Sequence, residues 1–303
     1  MKIISDEVIE KQVISVDECF KWVEETFLLK DKSILPAKIS MKPKEDVFFN
    51  VMPSIIKEFN VMGNKIVSRI PGNNPLMKSE IFLYDLSNGE LKNILEGNYI
   101  TTLRTGAVAA YSALLFVNKL EEYEIGIIGL GNVTTMTFNF LFEKLKDKKL
   151  KVKLYEYKDQ HLKFKAKFEK YKNIEFVYSK TYEEVIKNSD LIVSGVSYTN
   201  DIFGREEWFK PGAVVIPIHT RGFQNLDREV DKVIVDDRGH VKNFKYFNEF
   251  KKCIELSEIL TSKNFGREKK EERILVYNIG ISLLDIIFSL KFLEKIGENK
   301  WKQ

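Results

Sequence analysis

The stretch IGIIGLGNVTT, Ile125 to Thr135, constrains this chain more than any other. Apolar residues run straight into Gly129, Leu130, Gly131, Asn132, Val133 and Thr134, and a helical pattern follows over 133–146. A short buried strand, a glycine turn and a helix N-terminus together make a pyrophosphate site. The glycines let the backbone approach phosphate oxygens where a Cβ would clash, and the helix offers unpaired N–H groups and a partial positive charge. Threonine stands at the third glycine position, so the turn alone also reads as a strand followed by an ordinary loop. Its surroundings decide between the two.

From Glu124 short strands and helices alternate. The strands are Ile125–Gly129, Val152–Glu156, Ile174–Tyr178, Leu191–Ser194, Ala213–Ile218 and Val233–Asp236. Helical segments fall at 133–146, 160–171, 181–189 and 205–209. This alternation predicts a doubly wound parallel sheet, and six strands after a glycine turn suit a dinucleotide-binding Rossmann domain. The N-terminal half has another texture. Helices are expected within 5–30, then strands at Val47–Met52, Asn60–Ile70, Glu80–Leu86 and Leu91–Leu95, the last two joined by Ser87–Asn88–Gly89. Asn-Gly between apolar runs is a hairpin signal, so this part reads as mostly antiparallel α+β. A helix follows over 98–118 with a stripe of Ala107, Ala110, Leu114 and Val117. After 240 the chain reads as helical, with an exposed charged stretch Lys263–Arg273 and a last amphipathic helix Ser282–Ile296 closed by Gly297.

The reading is thus α/β: a Rossmann doubly wound parallel sheet over 122–277 after an α+β domain of 1–121, with pattern alone leaving open whether 278–303 returns to that first domain. With 303 residues the chain can bury two cores. Its 48 basic and 44 acidic residues leave +4, too balanced to imply nucleic acid. No run approaches a membrane span and the N-terminus lacks a signal-peptide core. Cys19 and Cys253 make neither a metal nor a redox spacing, so inert thiols in a reducing, cytoplasmic compartment are expected and no metal site.

Three places carry chemistry. Glu156 ends the second strand, where a carboxylate would hold a ribose 2′-hydroxyl and repel a 2′-phosphate; this favours NAD over NADP, with Lys158 nearby softening the choice. A polar strand end is the bland alternative. Lys65 shares one strand face with Val67 and Arg69, and joins Lys38 and Arg104 as a basic group. It is either a lysine on a solvated face, or part of a cation pair for a substrate carboxylate or a proton-transfer lysine of lowered pKa. His219 ends GAVVIPIH, at the carboxyl end of a strand where ligands of open α/β sheets bind; it is a proton donor or acceptor, or a plain loop histidine. Ser197, past Leu191–Ser194, is taken as a further cofactor contact. His161 and His240 read as surface residues.

GNKIVSRIPGN, IFLYDLSNGELKNILEGNYIT, TLRTGAVAA, IGIIGLGNVTT and VYNIGISLLDI together resemble the ornithine cyclodeaminase/μ-crystallin family, from about Leu35 to Ile287. The resemblance implies a homodimeric protein with a substrate and dimerisation domain, 1–121 completed by 278–303, around an inserted NAD(P)-binding domain. It implies chemistry at the Cα–N bond of small amino or imino acids. By it, Lys65 matches the lysine at the substrate and Arg104 the arginine that grips the carboxylate. Lys38 stands where many members have arginine, giving up the bidentate fork. Gly129, Gly131, Asn132 and Val133 match the pyrophosphate loop, Glu156 replaces the usual aspartate, and Gly280 matches a glycine near the nicotinamide. One departure matters. Family cyclodeaminases carry a catalytic aspartate after the fifth Rossmann strand, and here IHTRGFQNLD puts His219 in its place, with Arg221 adding charge.

The expected function is an NAD(P)-dependent oxidoreductase acting by hydride transfer on a small amino, imino or 2-oxo acid, either an imine reductase or an amino-acid dehydrogenase. Two alternatives stand beside it: an ornithine or lysine cyclodeaminase releasing ammonia, and an NAD(P)-loaded binding protein without turnover.

Overall fold

The structure is a computed structural model and describes residues 1–298 and 301. The chain divides into two compact units, Met1–Arg104 with the chain from Gly280 onward, and Thr105–Ile279. The last part of the expected first domain, residues 299–300 and 302–303, lies outside the described residues.

The first unit opens with strand β1 (Lys2–Ile4) and helices α1 (Asp6–Glu10) and α2 (Val16–Leu29). Ser15 and Glu18 form a capping box at the start of α2, each side chain taking the other's backbone N–H. Strands β2 (Ile39–Lys44), β3 (Val47–Ile56), β4 (Val61–Arg69), β5 (Met77–Asp85) and β6 (Leu91–Glu96) then build a sheet of order β1-β6-β5-β4-β3-β2. It is antiparallel except where β1 runs parallel to β6. Helix α3 (Asn98–Phe116) gives its residues through Arg104 to this unit and those from Thr105 to the other. Every residue from Leu103 to Ala110 is buried, so α3 is covered well beyond one stripe. The C-terminal helix, Ser282–Lys295, seats on this sheet: Ser282 Oγ donates to Pro53 O at 2.9 Å. Trp22 meets Phe288 and Phe292 edge-on at 5.2 and 5.7 Å.

The second unit is an eight-stranded, all-parallel sheet. Its elements are β7 (Glu122–Ile128), α4 (Asn132–Lys144), β8 (Lys149–Tyr155), α5 (Gln160–Lys167), β9 (Ile174–Ser179), α6 (Tyr182–Ile186), β10 (Leu191–Ser194), β11 (Val214–Pro217), β12 (Lys232–Val235), α7 (Arg238–Val241), β13 (Cys253–Glu255), α8 (Leu256–Leu260) and β14 (Ile274–Tyr277). The order is β13-β12-β14-β11-β10-β7-β8-β9, and it reverses direction between β7 and β10. Strands β10, β11, β12 and β14 are buried at every residue, as a parallel sheet covered on both faces requires. Phe138, Phe142, Phe164 and Phe168 interlock α4 with α5 at centroid distances of 4.8–5.8 Å. The C-terminal helix is α9 (Ser282–Lys295), and Gly297 follows it at φ 77°.

One expectation is corrected. The region after 240 is not all helical: β13 and β14 extend the sheet to eight strands, and β14 inserts between β11 and β12. Runs of three or four apolar residues carry no period that separates strand from helix. The stretch 263–273 is a largely exposed loop, as expected, from which Arg267 reaches in. Its Nε donates to Phe116 O at 2.7 Å, and its amino groups donate to Gly212 O and Glu272 O at 2.9 and 2.7 Å.

Candidate active site

In the first unit Lys65 lies on β4 opposite Met52 and Ile81, on the face that also turns Val61 and Val67 into the core. Its side chain is 1% exposed, so the solvated-face reading fails. Lys65 Nζ donates to Asp285 Oδ1 at 2.7 Å, and Arg104 Nε donates to the same oxygen at 2.9 Å. Asp285 sits in the first turn of α9, where the helix dipole favours a carboxylate. Burial draws the Lys65 pKa down to about 7, and the nearby charges of Arg104 and then Lys38 act the same way, against the pull of Asp285. Lys38, just before β2, is half-buried. Gly280 closes the cluster. It adopts φ +84°, and a Cβ there would lie 3.0 Å from Arg104 Nη2 and closer still to Nη1. In this chain, then, Gly280 gives the Arg104 guanidinium its room.

In the second unit the glycine turn follows β7. Gly129 takes φ +79°, and a Cβ on it would lie 2.8 Å from Val196 N. Gly131 caps α4 without any side-chain hydrogen bond, and no acidic residue occupies the first turn. A Cβ at Gly131 would find no heavy atom within 4 Å. Asn132 and Val133 therefore present first-turn N–H groups beside an open approach, the arrangement a pyrophosphate needs. Thr134, in place of the third glycine, is buried and donates its hydroxyl to Gly129 O at 2.8 Å, stiffening the turn. These residues fit a dinucleotide.

Glu156 follows β8, the neighbour of β7, and its N–H is held by Ser179 O at 2.9 Å. Ser197 lies exposed past the end of β10, and His219 lies half-buried two residues past the end of β11. Arg221 in the same loop stacks over Tyr198, with Cζ 5.2 Å from the ring centroid, and bonds Thr199 O at 3.4 Å. So the loops beyond β10 and β11 are joined, beside the point where strand order reverses. His240, expected at the surface, has a buried side chain with Nδ1 2.9 Å from Asp237 Oδ1.

Sequence reasoning missed Asp285. The signal was present: it is the one charge in the apolar run SLLDIIFSL, and a fully buried carboxylate needs partners. It also missed a buried polar knot in the second unit, where Asn278 Nδ2 donates to Ser112 Oγ at 3.2 Å and Asp236 Oδ1 at 3.1 Å.

Comparison with known proteins follows the same lines. A sequence profile of the ornithine cyclodeaminase/mu-crystallin family matches residues 2–300. A Delta(1)-pyrroline-2-carboxylate reductase of Bacillus cereus is 26% identical over 268 residues, covering 82% of this chain and 81% of that one. Among solved structures, Thermococcus litoralis Delta(1)-pyrroline-2-carboxylate reductase in complex with NADH and L-proline superposes with TM-score 0.86 at 23% identity, over 100% of this chain and 99% of the other. An archaeal alanine dehydrogenase dimer with bound NAD gives 0.85 at 22% identity, over 99% and 97%.

Proposed function

This chain belongs to the ornithine cyclodeaminase/mu-crystallin family, and from that premise we propose that it is an NAD(P)-dependent oxidoreductase reducing the C=N bond of a small imino acid. The observation that carries this reading is the buried trio of Lys65, Asp285 and Arg104. Two cations on one carboxylate leave net positive charge for a small anion. Arg104, with Lys38, takes the substrate carboxylate. Lys65, with its pKa near 7, holds or releases a proton at neutral pH. His219 protonates the substrate nitrogen. When bound, the reduced nicotinamide supplies the hydride. Gly129, Gly131, Asn132, Val133 and Thr134 hold the pyrophosphate, with Ser197 as a further cofactor contact, and Glu156 favours NAD over NADP, while Gly280 serves the substrate side by giving Arg104 its room.

Relatives that act as pyrroline-2-carboxylate reductases support the imine as substrate. His219 where cyclodeaminases have aspartate favours net reduction: a protonated imidazole repels an ammonium but serves an imine. The first unit suits homodimerisation, since edge strand β2 is exposed along its length with Ile39 at 59% and Met41 at 49%. No helix among the described residues is long and apolar enough to cross a membrane, and two unpaired cysteines suit the cytoplasm.

The test follows NADH absorbance with a panel of cyclic imines, and of 2-oxo acids with and without amines. Turnover that Lys65→Ala abolishes supports the reading, and none above the Lys65→Ala background removes it. Proline or pipecolate with ammonia and no net NADH change would make the chain a cyclodeaminase instead.

A further inference from the structure

The two oxygens of Asp285 stand in unlike positions. Oδ1 accepts from Lys65 Nζ and Arg104 Nε. Oδ2 is buried, and among the described residues no donor reaches it. A buried charged acceptor without a donor carries its full desolvation penalty, and folded proteins retain few of them. Apart from Asp285 itself, the neighbouring charges that bear on Lys65 are cations, Arg104 and Lys38. A substrate carboxylate answers those cations but offers Oδ2 nothing, because two anionic oxygens repel. The N–H of a protonated imine, or of an amine, on the same small molecule supplies what is missing.

We infer that Asp285 is a substrate-binding residue whose Oδ2 accepts a hydrogen bond from the N–H of the protonated imine or amine on the substrate α-carbon, restricting the site to 2-imino and 2-amino acids over 2-oxo and 2-hydroxy acids of like shape. This rests on the reductase reading for the carboxylate at Arg104, and adds to it the reason for nitrogen. A carbonyl oxygen would bring lone pairs to Oδ2 and leave it unpaired. Sites built to bond a substrate N–H reject analogues lacking it far more strongly than an apolar pocket rejects a missing methylene. In Asp285→Asn the amide oxygen stays with Lys65 and Arg104. The amide NH₂ then stands where Oδ2 was, a donor facing the substrate.

Two measurements test this. The first compares kcat/KM with NADH for a cyclic 2-imino acid and for a 2-oxo acid of equal carbon number without amine. The second is calorimetric binding of the matching cyclic 2-amino acid and 2-hydroxy acid to the NAD⁺-loaded protein. The wild type prefers nitrogen in both, by on the order of 100-fold. Asp285→Asn keeps its NADH affinity and loses most of the preference, the readout being the ratio between the two substrates rather than either absolute rate. A preference unchanged in Asp285→Asn overturns the inference. So does a wild type that binds the two acids equally, which needs no variant to fold. If the wild type binds the amino acid preferentially yet reduces neither substrate, the reductase reading falls and the role of Asp285 stands.

Discussion

Lys65 and Asp285 are 220 residues apart in sequence and 2.7 Å apart in space, both buried. A buried ammonium is tolerated only beside such a counter-charge, and removing either partner strands the other. The pair therefore ties the last helix to the fourth strand by charge as well as by packing.

The proton on Lys65 gives the first prediction. Its folded pKa is about 7 against an ordinary 10.5. Between those values the unfolded chain binds more protons, so the contribution of Lys65 makes stability rise with pH across that window. In Lys65→Met this rise disappears from urea midpoints measured across the range. In the wild type, kcat/KM for imine reduction falls about tenfold per pH unit above the lysine's pKa, as the charged form is lost. A rate flat to pH 9 would contradict it.

Gly280→Ala should damage the substrate side while sparing the cofactor. The backbone is left-handed there, and a side chain in that region costs about 1–3 kcal/mol. The new methyl also displaces the Arg104 guanidinium. The expected result is a lower Tm and a KM for the carboxylate substrate raised at least roughly tenfold, with NADH Kd unchanged by fluorescence titration.

Thr134→Val does the reverse. It removes the hydroxyl that braces Gly129 O at almost constant volume. A loss of about 1 kcal/mol at the turn corresponds to NADH binding weakened roughly fivefold. The substrate KM at saturating cofactor stays put. Equal NADH Kd values for the two proteins would show that the brace is irrelevant to the cofactor.

Glu156→Ser combined with Tyr157→Arg replaces a carboxylate with a neutral group and a cation at the end of β8. The ratio of kcat/KM for NADPH over NADH should climb by on the order of 100-fold. A wild type that already prefers NADPH would refute the role given to Glu156.

The sequence made the nucleotide-binding unit legible because its signals are local: a glycine turn, apolar strands and the helices between them. Glu156 and His219 could be placed by counting strands alone. Asp285 could not, because its meaning depends on β4 lying beneath it, and pattern within α9 shows only a charge among apolar residues. Lys65 was legible as an anomaly on a core-facing strand, yet its burial and lowered pKa come from residues far along the chain. Strands β2 and β14 escaped for opposite reasons. The first is exposed along its length and has no alternation, while the second is four buried residues with no period at all.

The separation between Lys65 and Asp285 also fixes an order of events at the ribosome. Thr105–Ile279 is contiguous and can fold once it has emerged, since domains form as units during synthesis. The first sheet emerges earlier but must wait, its lysine still without an anion, until the final helix leaves the exit tunnel. A nascent chain cut short before Asp285 thus keeps a foldable nucleotide unit and an N-terminal half that chaperones must shelter.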